Sequence, residues 1–415
     1  MRNNIVQSNK SKLPLLFSLV IPLLISGPFL PDLIVSLSSI FFLYYLIKNE
    51  KIYRFNVFPI KIFLIFYLSI ILSSLLSENI FFSLKTSLLY FRFVVFACLI
   101  WFLIDEEKSI LNYFYYLLVI SFSILSLDAY YQYFNQVNFL GLSPFENNRI
   151  SSLFGKELIL GSYLTRLFPL LFALFVIRKN KKTFEIWYIG VLFIAVDVLV
   201  FITGERTAFF LLNLSTIFII CLIKDFKKFR IFTFTIGIIF CLILAFSESQ
   251  LQNRMISGPL KSMGLSEVSK EKFIFSPSHD SLIRTAFKMF LDKPILGHGP
   301  KMFRLKCSDP KYVVGNNNCS THPHNFYAQL LAETGVTGFS FLASIFFYII
   351  FCFTKQIKSI FCKETRYLDD YQVCLLGGIL ITVWPFVPNG NFFNNWLSIV
   401  YFLPAGFYLQ SIFKK

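Results

Sequence analysis

The chain has 415 residues, 56% of them hydrophobic and 19% aromatic, with 39 Lys and Arg against 23 Asp and Glu for a net charge of +16. Soluble domains average roughly 45–50% apolar, so this composition, with a mean hydropathy of +0.64, excludes an ordinary water-soluble globule. The apolar residues run in continuous blocks of about 16–22, the length that crosses a bilayer core, and this excludes a barrel of short alternating strands.

The blocks predict an all-α polytopic membrane protein with about twelve transmembrane helices in one integral-membrane domain, 1–415. The spans lie near 13–30, 32–47, 57–76, 86–104, 113–134, 158–177, 186–203, 207–223, 231–247, 335–353, 372–388 and 392–410. Arg2, Lys10 and Lys12 precede the first block and no small-residue cleavage site follows it, so it reads as a retained helix. There is no internal repeat.

The short connections sort by charge. Lys48, Lys51, Arg54 and Lys61 follow span two, and Arg178, Lys179, Lys181 and Lys182 follow span six. Lys224, Lys227, Lys228 and Arg230 follow span eight, Lys355, Lys358, Lys363 and Arg366 follow span ten, and Lys414 and Lys415 end the chain. Basic residues in such a chain report topology before nucleic acid, and the positive-inside rule makes both termini cytoplasmic.

Between spans nine and ten lies one large outward loop, 248–334, in a periplasm if the host is a bacterium. It carries Arg254, Lys261, Lys270, Lys272, Arg284, Lys288, Lys293, Lys301, Arg304, Lys306 and Lys311. Long loops translocate regardless of charge, so this bias is either a solvated surface or the mark of an anionic partner. Within it "DSLIRTAFKMFLDKPILGHG" reads as an amphipathic helix capped by Asp280 or Ser281 and ended by Pro294 and Gly297. Leu282, Ile283, Ala286, Phe287 and Phe290 form its apolar face, suited to the membrane surface, with Arg284, Lys288 and Asp292 opposite.

Cys98, Cys221, Cys241, Cys352 and Cys374 fall in spans and Cys362 in a cytoplasmic loop. Cys307 and Cys319 share the outward loop, where an oxidising compartment favours a disulfide. A metal site from Cys307, Cys319, His322 and His324 is the alternative, but the spacing lacks the short Cys pair of zinc modules.

Three outward positions carry groups suited to chemistry. Arg206 sits in the tight turn "TGERTAFF", beside Glu205, as a functional cation or an interfacial snorkel. Arg284 is a functional cation or a solvated helix face. His324, in "STHPHNFYAQ", is a proton acceptor near pH 7 or a helix-start residue, with His322 its weaker twin and Thr321 or Asn325 the helix cap. Arg149 and Lys156, in "ENNRISSLFGKE", add to the outward basic surface. Arg92, Asp128, Arg166 and Asp197 are charges within spans, costly and therefore functional candidates. Walker A and HExxH patterns are absent, and Asp280, Asp292 and Asp309 are dispersed, so Arg and Lys themselves would neutralise an anion.

This constellation resembles the O-antigen ligase and polymerase superfamily, the WaaL and Wzy type of membrane glycosyltransferase with the Wzy_C domain. His324 and Asn325, nine residues, then Gly335 and Gly338 look like the ligase motif of His-Asn, nine residues and Gly-x-x-Gly. "RTAFKMFLDKPILGHGPKMF" resembles the loop segment in which an Arg-bearing helix leads to Pro-x-x-Gly-x-Gly, "TGERTAFF" the Arg-bearing turn, and "RISSLFGKELILGSYL" a further family segment. The motif resemblance covers 145–345, an O-antigen ligase-like core. Gly-Glu before Arg206 departs from the small residues often found there.

The resemblance implies a glycan donor on undecaprenyl diphosphate and a lipid A-core or other glycan acceptor, with membrane lipids around and no nucleic acid. His324 would be the base, Arg206 and Arg284 would hold the leaving diphosphate, and no metal or cofactor would be needed. Arg149, Lys156, Lys288, His322 and Asn325 would line the substrate path, with Gly335 and Gly338 allowing close approach of helix and loop. It implies a bacterial inner-membrane location with the active site facing the periplasm. One large loop, with a lesser one at 135–157, favours ligase over polymerase. A transporter of an anionic lipid-linked substrate would show broken helices and repeats, and a scaffold would need neither His324 nor Arg206.

Overall fold

The computed structural model describes residues 13–146, 148–265, 272–315 and 317–414. Arg2, Lys10, Lys12, Lys270 and Lys415, used above for topology and loop charge, lie outside the described residues. Among the described residues the fold is helical, with a single isolated bridge between Phe145 and Arg149.

Among the described residues nine helices are long and apolar enough to cross a membrane, and three shorter apolar ones complete the set of twelve blocks. The main helices are α1 (Phe29–Lys48), α2 (Phe58–Leu75), α3 (Phe91–Glu106), α4 (Ile110–Asn135), α5 (Leu160–Ile177), α6 (Thr183–Ile202), α7 (Arg206–Leu222) and α8 (Lys227–Ser247). After the 248–276 segment come α9 (Pro277–Asp292), α10 (Phe326–Phe361), α11 (Asp370–Thr382) and α12 (Asn395–Phe413). Helix α5 is the axis of the bundle: 83% of its apolar window is buried, against 28% for α1, α2 and α8. Those rim helices keep apolar side chains outward, as a bilayer solvent requires.

Two blocks depart from their predicted spans. The first breaks into Leu13–Ser18, Val20–Leu23 and a 3-10 turn Leu24–Ser26, with Gly27 and Pro28 ending it. The eleventh stops at Thr382, because Pro385 and Pro388 deny backbone donors to a continuing helix. Residues 383–394 therefore form an irregular segment, tolerated at this depth where it lines a cavity.

Among the described residues, three of the four charges singled out within the spans, Arg92, Asp128 and Asp197, find charged or donor partners. Arg230 of α8 meets Asp197 of α6 through two bonds of 2.8 and 2.9 Å. Its place in the first turn of α8 makes it a buried ion-pair member rather than the surface topology charge expected above. Arg92 pairs with Asp32 at 2.8 Å. Asp128 accepts from Ser152 Oγ at 2.5 Å and the Phe139 amide at 2.9 Å, tying α4 to the 136–159 connection. Arg166 of α5 has no carboxylate partner among the described residues.

The amphipathic helix α9 is capped by Ser276, whose side chain accepts from the His279 amide, so the helix starts earlier than Asp280 or Ser281 would place it. Its enclosed face is Leu282, Ala286 and Met289, which pack on Phe303, Tyr312, Ala328 and Ala332 rather than lying on the membrane surface. Phe287, expected on that face, is exposed. Cys307 and Cys319 are joined as a disulfide with Cα atoms 5.0 Å apart.

Helix α10 is bent at Gly335, whose φ of 64° and ψ of −160° interrupt the helix. The "PILGHG" strip crosses it there. The Val336 amide donates to the Pro294 carbonyl at 2.8 Å, and the His298 and Gly299 amides donate to the carbonyls of Ala332 and Glu333 at 3.1 and 2.7 Å. A Cβ at Gly335 would collide with the Ile295 carbonyl, and one at Gly297 with the Glu333–Thr334 peptide. The Asn325 side chain caps α10 by accepting from the Ala328 amide at 3.0 Å, and its Nδ2 donates to the Pro385 carbonyl at 2.8 Å.

Gly335→Ala is expected to destabilise the protein by at least about 2 kcal/mol, from positive φ and backbone collision together; an unchanged melting temperature in detergent would contradict the bent-helix account. Asn325→Ala is expected to cost about 1–2 kcal/mol, read in the same unfolding experiment, because a cap and a tie to residue 385 are lost together.

Candidate active site

Residues 149–159, the 203–206 turn, residues 254–263, 274–279 and 321–324 and the irregular 383–394 segment meet at one end of the bundle and enclose a cavity of about 1850 Å³. The starts of α5, α7, α9, α10 and α12 contribute to its wall through Ile159, Arg206, Ser276, His324 and Asn394. Helix N-termini carry partial positive charge, so this convergence favours an anion.

Five arginines line the cavity: Arg149, Arg166, Arg206, Arg254 and Arg304. Arg149 and Arg254 hold the 203–206 turn, and Arg206 reaches from it to the Arg254 backbone. Arg206 Nε donates to the Arg254 carbonyl at 2.7 Å, Arg254 Nε to the Gly204 carbonyl at 3.2 Å, and Arg149 Nε to the Thr203 carbonyl at 3.3 Å. Each bond uses Nε. Among the described residues, none of the five forms an ion pair with a carboxylate. Burial and the neighbouring Arg254 pull the Arg149 guanidinium below its ordinary value. Arginine stays charged through such a shift, so the cluster is a standing concentration of positive charge.

Glu205 does not neutralise it directly. Its two carboxylate oxygens accept the Gly161 and Ser162 amides at 2.7 and 3.0 Å, capping the start of α5. Burial pushes its carboxyl up to about 7, with the two amides and Arg149 opposing.

Facing the arginines are three histidines. His322 and His324 have ring centres 4.1 Å apart, and His279 of α9 lies 5.6 Å from His324. The backbone holds the pair in place: the Asn389 amide donates to the His324 carbonyl at 2.8 Å, and His322 Nε2 donates to the Asn389 carbonyl at 3.1 Å. That assignment leaves His322 Nδ1 to accept from Thr321 Oγ1 at 2.9 Å. His324 has a φ of 55°, the left-handed region, which turns its half-buried ring into the cavity. Burial lowers the His324 imidazole below its ordinary value, and burial and His324 lower His322 to about 4, so both are neutral at pH 7. His324 is then a free base, with only a weak contact from Ser320 Oγ at 3.4 Å. Among the described residues no group of three or more His, Cys, Asp and Glu is arranged to hold a metal.

The structure brings Arg206, Arg149, His322 and His324 of the sequence candidates to one cavity. Arg284 is elsewhere: 65% exposed on the outer face of α9, it pairs with Asp280 at 2.8 Å. Lys288 is also exposed and reaches the Val313 carbonyl at 3.1 Å, and Lys156 is exposed outside the cavity lining. Asn325 sits behind His324 as the cap of α10, and Gly335 and Gly338 lie in α10 away from the cavity, serving backbone approach.

Sequence reasoning missed Arg254, Arg304 and His279, which it left as loop charge or passed over. It also missed the wall made by 385–391. Two prolines, a glycine and four asparagines within "PFVPNGNFFNN" were the available signal, since turn residues interrupting an apolar run mark irregular backbone. Asn389 and Asn391 line the cavity, and neither Asn389 side-chain polar atom nor Asn391 Nδ2 has a partner among the described residues.

Residues 189–343 match the family model described as O-antigen ligase, Wzy_C. The matched stretch holds Arg206, Arg254, His279, Arg284, His322, His324 and both glycines of the α10 motif. No curated protein matches the chain. With its helical membrane fold and the motifs in that stretch, the chain carries over residues 189–343 a domain of the O-antigen ligase and polymerase superfamily, whose members are glycosyltransferase-type enzymes.

Proposed function

We propose that the chain is an O-antigen ligase, moving a glycan from undecaprenyl diphosphate to lipid A-core. The observation that carries this reading is the pairing, within one cavity, of an arginine cluster without carboxylate partners and a neutral histidine held by backbone bonds. Apolar side chains at the cavity's edge, Phe210, Ile274 and Phe386, are exposed and suit a lipid tail. The basic connections between the other ends of the spans support a cavity that faces the periplasm from a bacterial inner membrane, with both termini cytoplasmic. A disulfide beside the cavity is in keeping with an oxidising compartment.

In this mechanism Arg206, Arg254 and Arg149 hold the donor's diphosphate. His324 takes the proton of an acceptor hydroxyl, and the oxygen attacks the anomeric carbon. The bond from that carbon to the phosphate oxygen breaks, its electron pair leaving with undecaprenyl diphosphate. Direct displacement inverts the anomeric centre. The arginines stabilise the charge that grows on the leaving oxygen, a contribution of about 2–4 kcal/mol per lost contact. Arg284 belongs to this machinery only if α9 moves, since its side chain faces outward.

Reconstitution with an undecaprenyl-diphosphate glycan and lipid A-core tests the reading. Glycan on lipid A-core, reduced at least about 100-fold by His324→Ala, is expected. Longer glycan on undecaprenyl diphosphate instead makes the chain a polymerase, and lipid movement without transfer makes it a transporter. Because burial holds the His324 pKa below about 6.5, transfer is expected to stay level from neutral to mildly alkaline pH and to fall only in acid. An inflection above neutrality would contradict His324 as the base.

A further inference from the structure

We infer that Arg166 is an anion-binding residue at the floor of the cavity, receiving a phosphate oxygen of a diphosphate. This deepens the reading of the cavity given above and rests on it. Arg166 lies in the second turn of α5, is 5% exposed, and lines the cavity. Its Nε donates to Ser162 Oγ one turn earlier at 3.3 Å, and its guanidinium sits 4.8 Å from the centre of the Tyr401 ring. These contacts fix the plane of the fork. Its Nη1 is enclosed and has no hydrogen-bond partner among the described residues.

The enclosed arginines elsewhere in the bundle are paired with carboxylates. Arg230, 0% exposed, and Arg92, 7% exposed, each have an aspartate at 2.8 Å. Neither lines the cavity; Arg166 does, and it alone of the three lacks a carboxylate. The carboxylate that shares its part of the wall, Glu205, is engaged by the Gly161 and Ser162 amides. A buried guanidinium without a counter-charge carries an uncompensated desolvation cost. An arriving anion would remove that cost. A planar fork with fixed orientation matches two phosphate oxygens better than it matches a neutral hydroxyl.

Arg166→Gln separates this role from a structural one, because the two predict opposite signs. Thermal unfolding and ligand binding are measured on the full chain in nanodiscs, with undecaprenyl diphosphate and with inorganic pyrophosphate. The variant is expected to melt at or above the wild type without ligand, since an uncompensated buried charge has gone. Its affinity for the diphosphate is expected to fall roughly 10- to 100-fold, the loss typical of a bond between charged groups. Affinity lost by the variant for both probes identifies the diphosphate itself as what Arg166 reads, and affinity lost for the lipid only identifies a lipid headgroup. A variant that melts lower without ligand, yet binds as tightly as wild type, overturns the inference. Wild-type protein that binds the diphosphate through Arg166 but transfers glycan to neither acceptor overturns the transferase reading alone. Transfer by the wild type with unchanged binding in Arg166→Gln overturns this inference alone.

Discussion

The site depends on a place where two backbones touch. Helix α10 bends at Gly335, and the strip from Pro294 to Gly299 lies in the bend, exchanging four backbone hydrogen bonds with it. The bend frees carbonyls and amides that a continuous helix would use internally, and the strip satisfies them. Side chains at Gly335 or Gly297 would hold the backbones apart. This contact anchors α9 and the disulfide-closed stretch behind the start of α10. In front of it, the His322–Asn325 segment is clamped by the irregular 385–389 backbone. The histidines are therefore positioned by main-chain bonds from two directions, a firmer arrangement than loop side chains achieve alone.

The cavity joins unlike walls. One is cationic, built from arginines whose Nε atoms bind carbonyls of the 203–206 turn and the 254 peptide. The other is neutral, with imidazoles kept uncharged by burial and the asparagines of 389 and 391. A substrate with a charged diphosphate and a hydroxyl-rich sugar has the same two-part character. Elsewhere in the bundle the buried arginines meet aspartates, so the cationic wall is a local departure from how this chain treats charge. Departures of that kind are expected where function rather than stability decides the residue.

Much of the fold was legible because apolar blocks of bilayer length leave few alternatives: the positions of α1 to α8 and α12 follow the blocks closely. The eleventh span failed because its apolar residues hid two prolines, and composition averages over a window while a helix ends at a single residue. The pairings of Arg92, Asp197 and Asp128 were illegible, since contacts such as that of residue 32 with residue 92 have no local pattern. Within the site, Arg206 and His324 stood out by local context, as an arginine in a short turn and a histidine at a helix threshold. Arg254 and Arg304 were lost among loop cations, and only folding shows which of them turn inward. Arg284 misled for the same reason: its helix periodicity gave a charged face but not the direction that face takes.

A density map of the protein in nanodiscs with bound undecaprenyl diphosphate tests the central claim most directly. The account predicts the diphosphate inside the cavity, in contact with Arg206 and Arg254 and facing His324. Diphosphate held instead on the outer face of α9 at Arg284, with the cavity unoccupied, would contradict it.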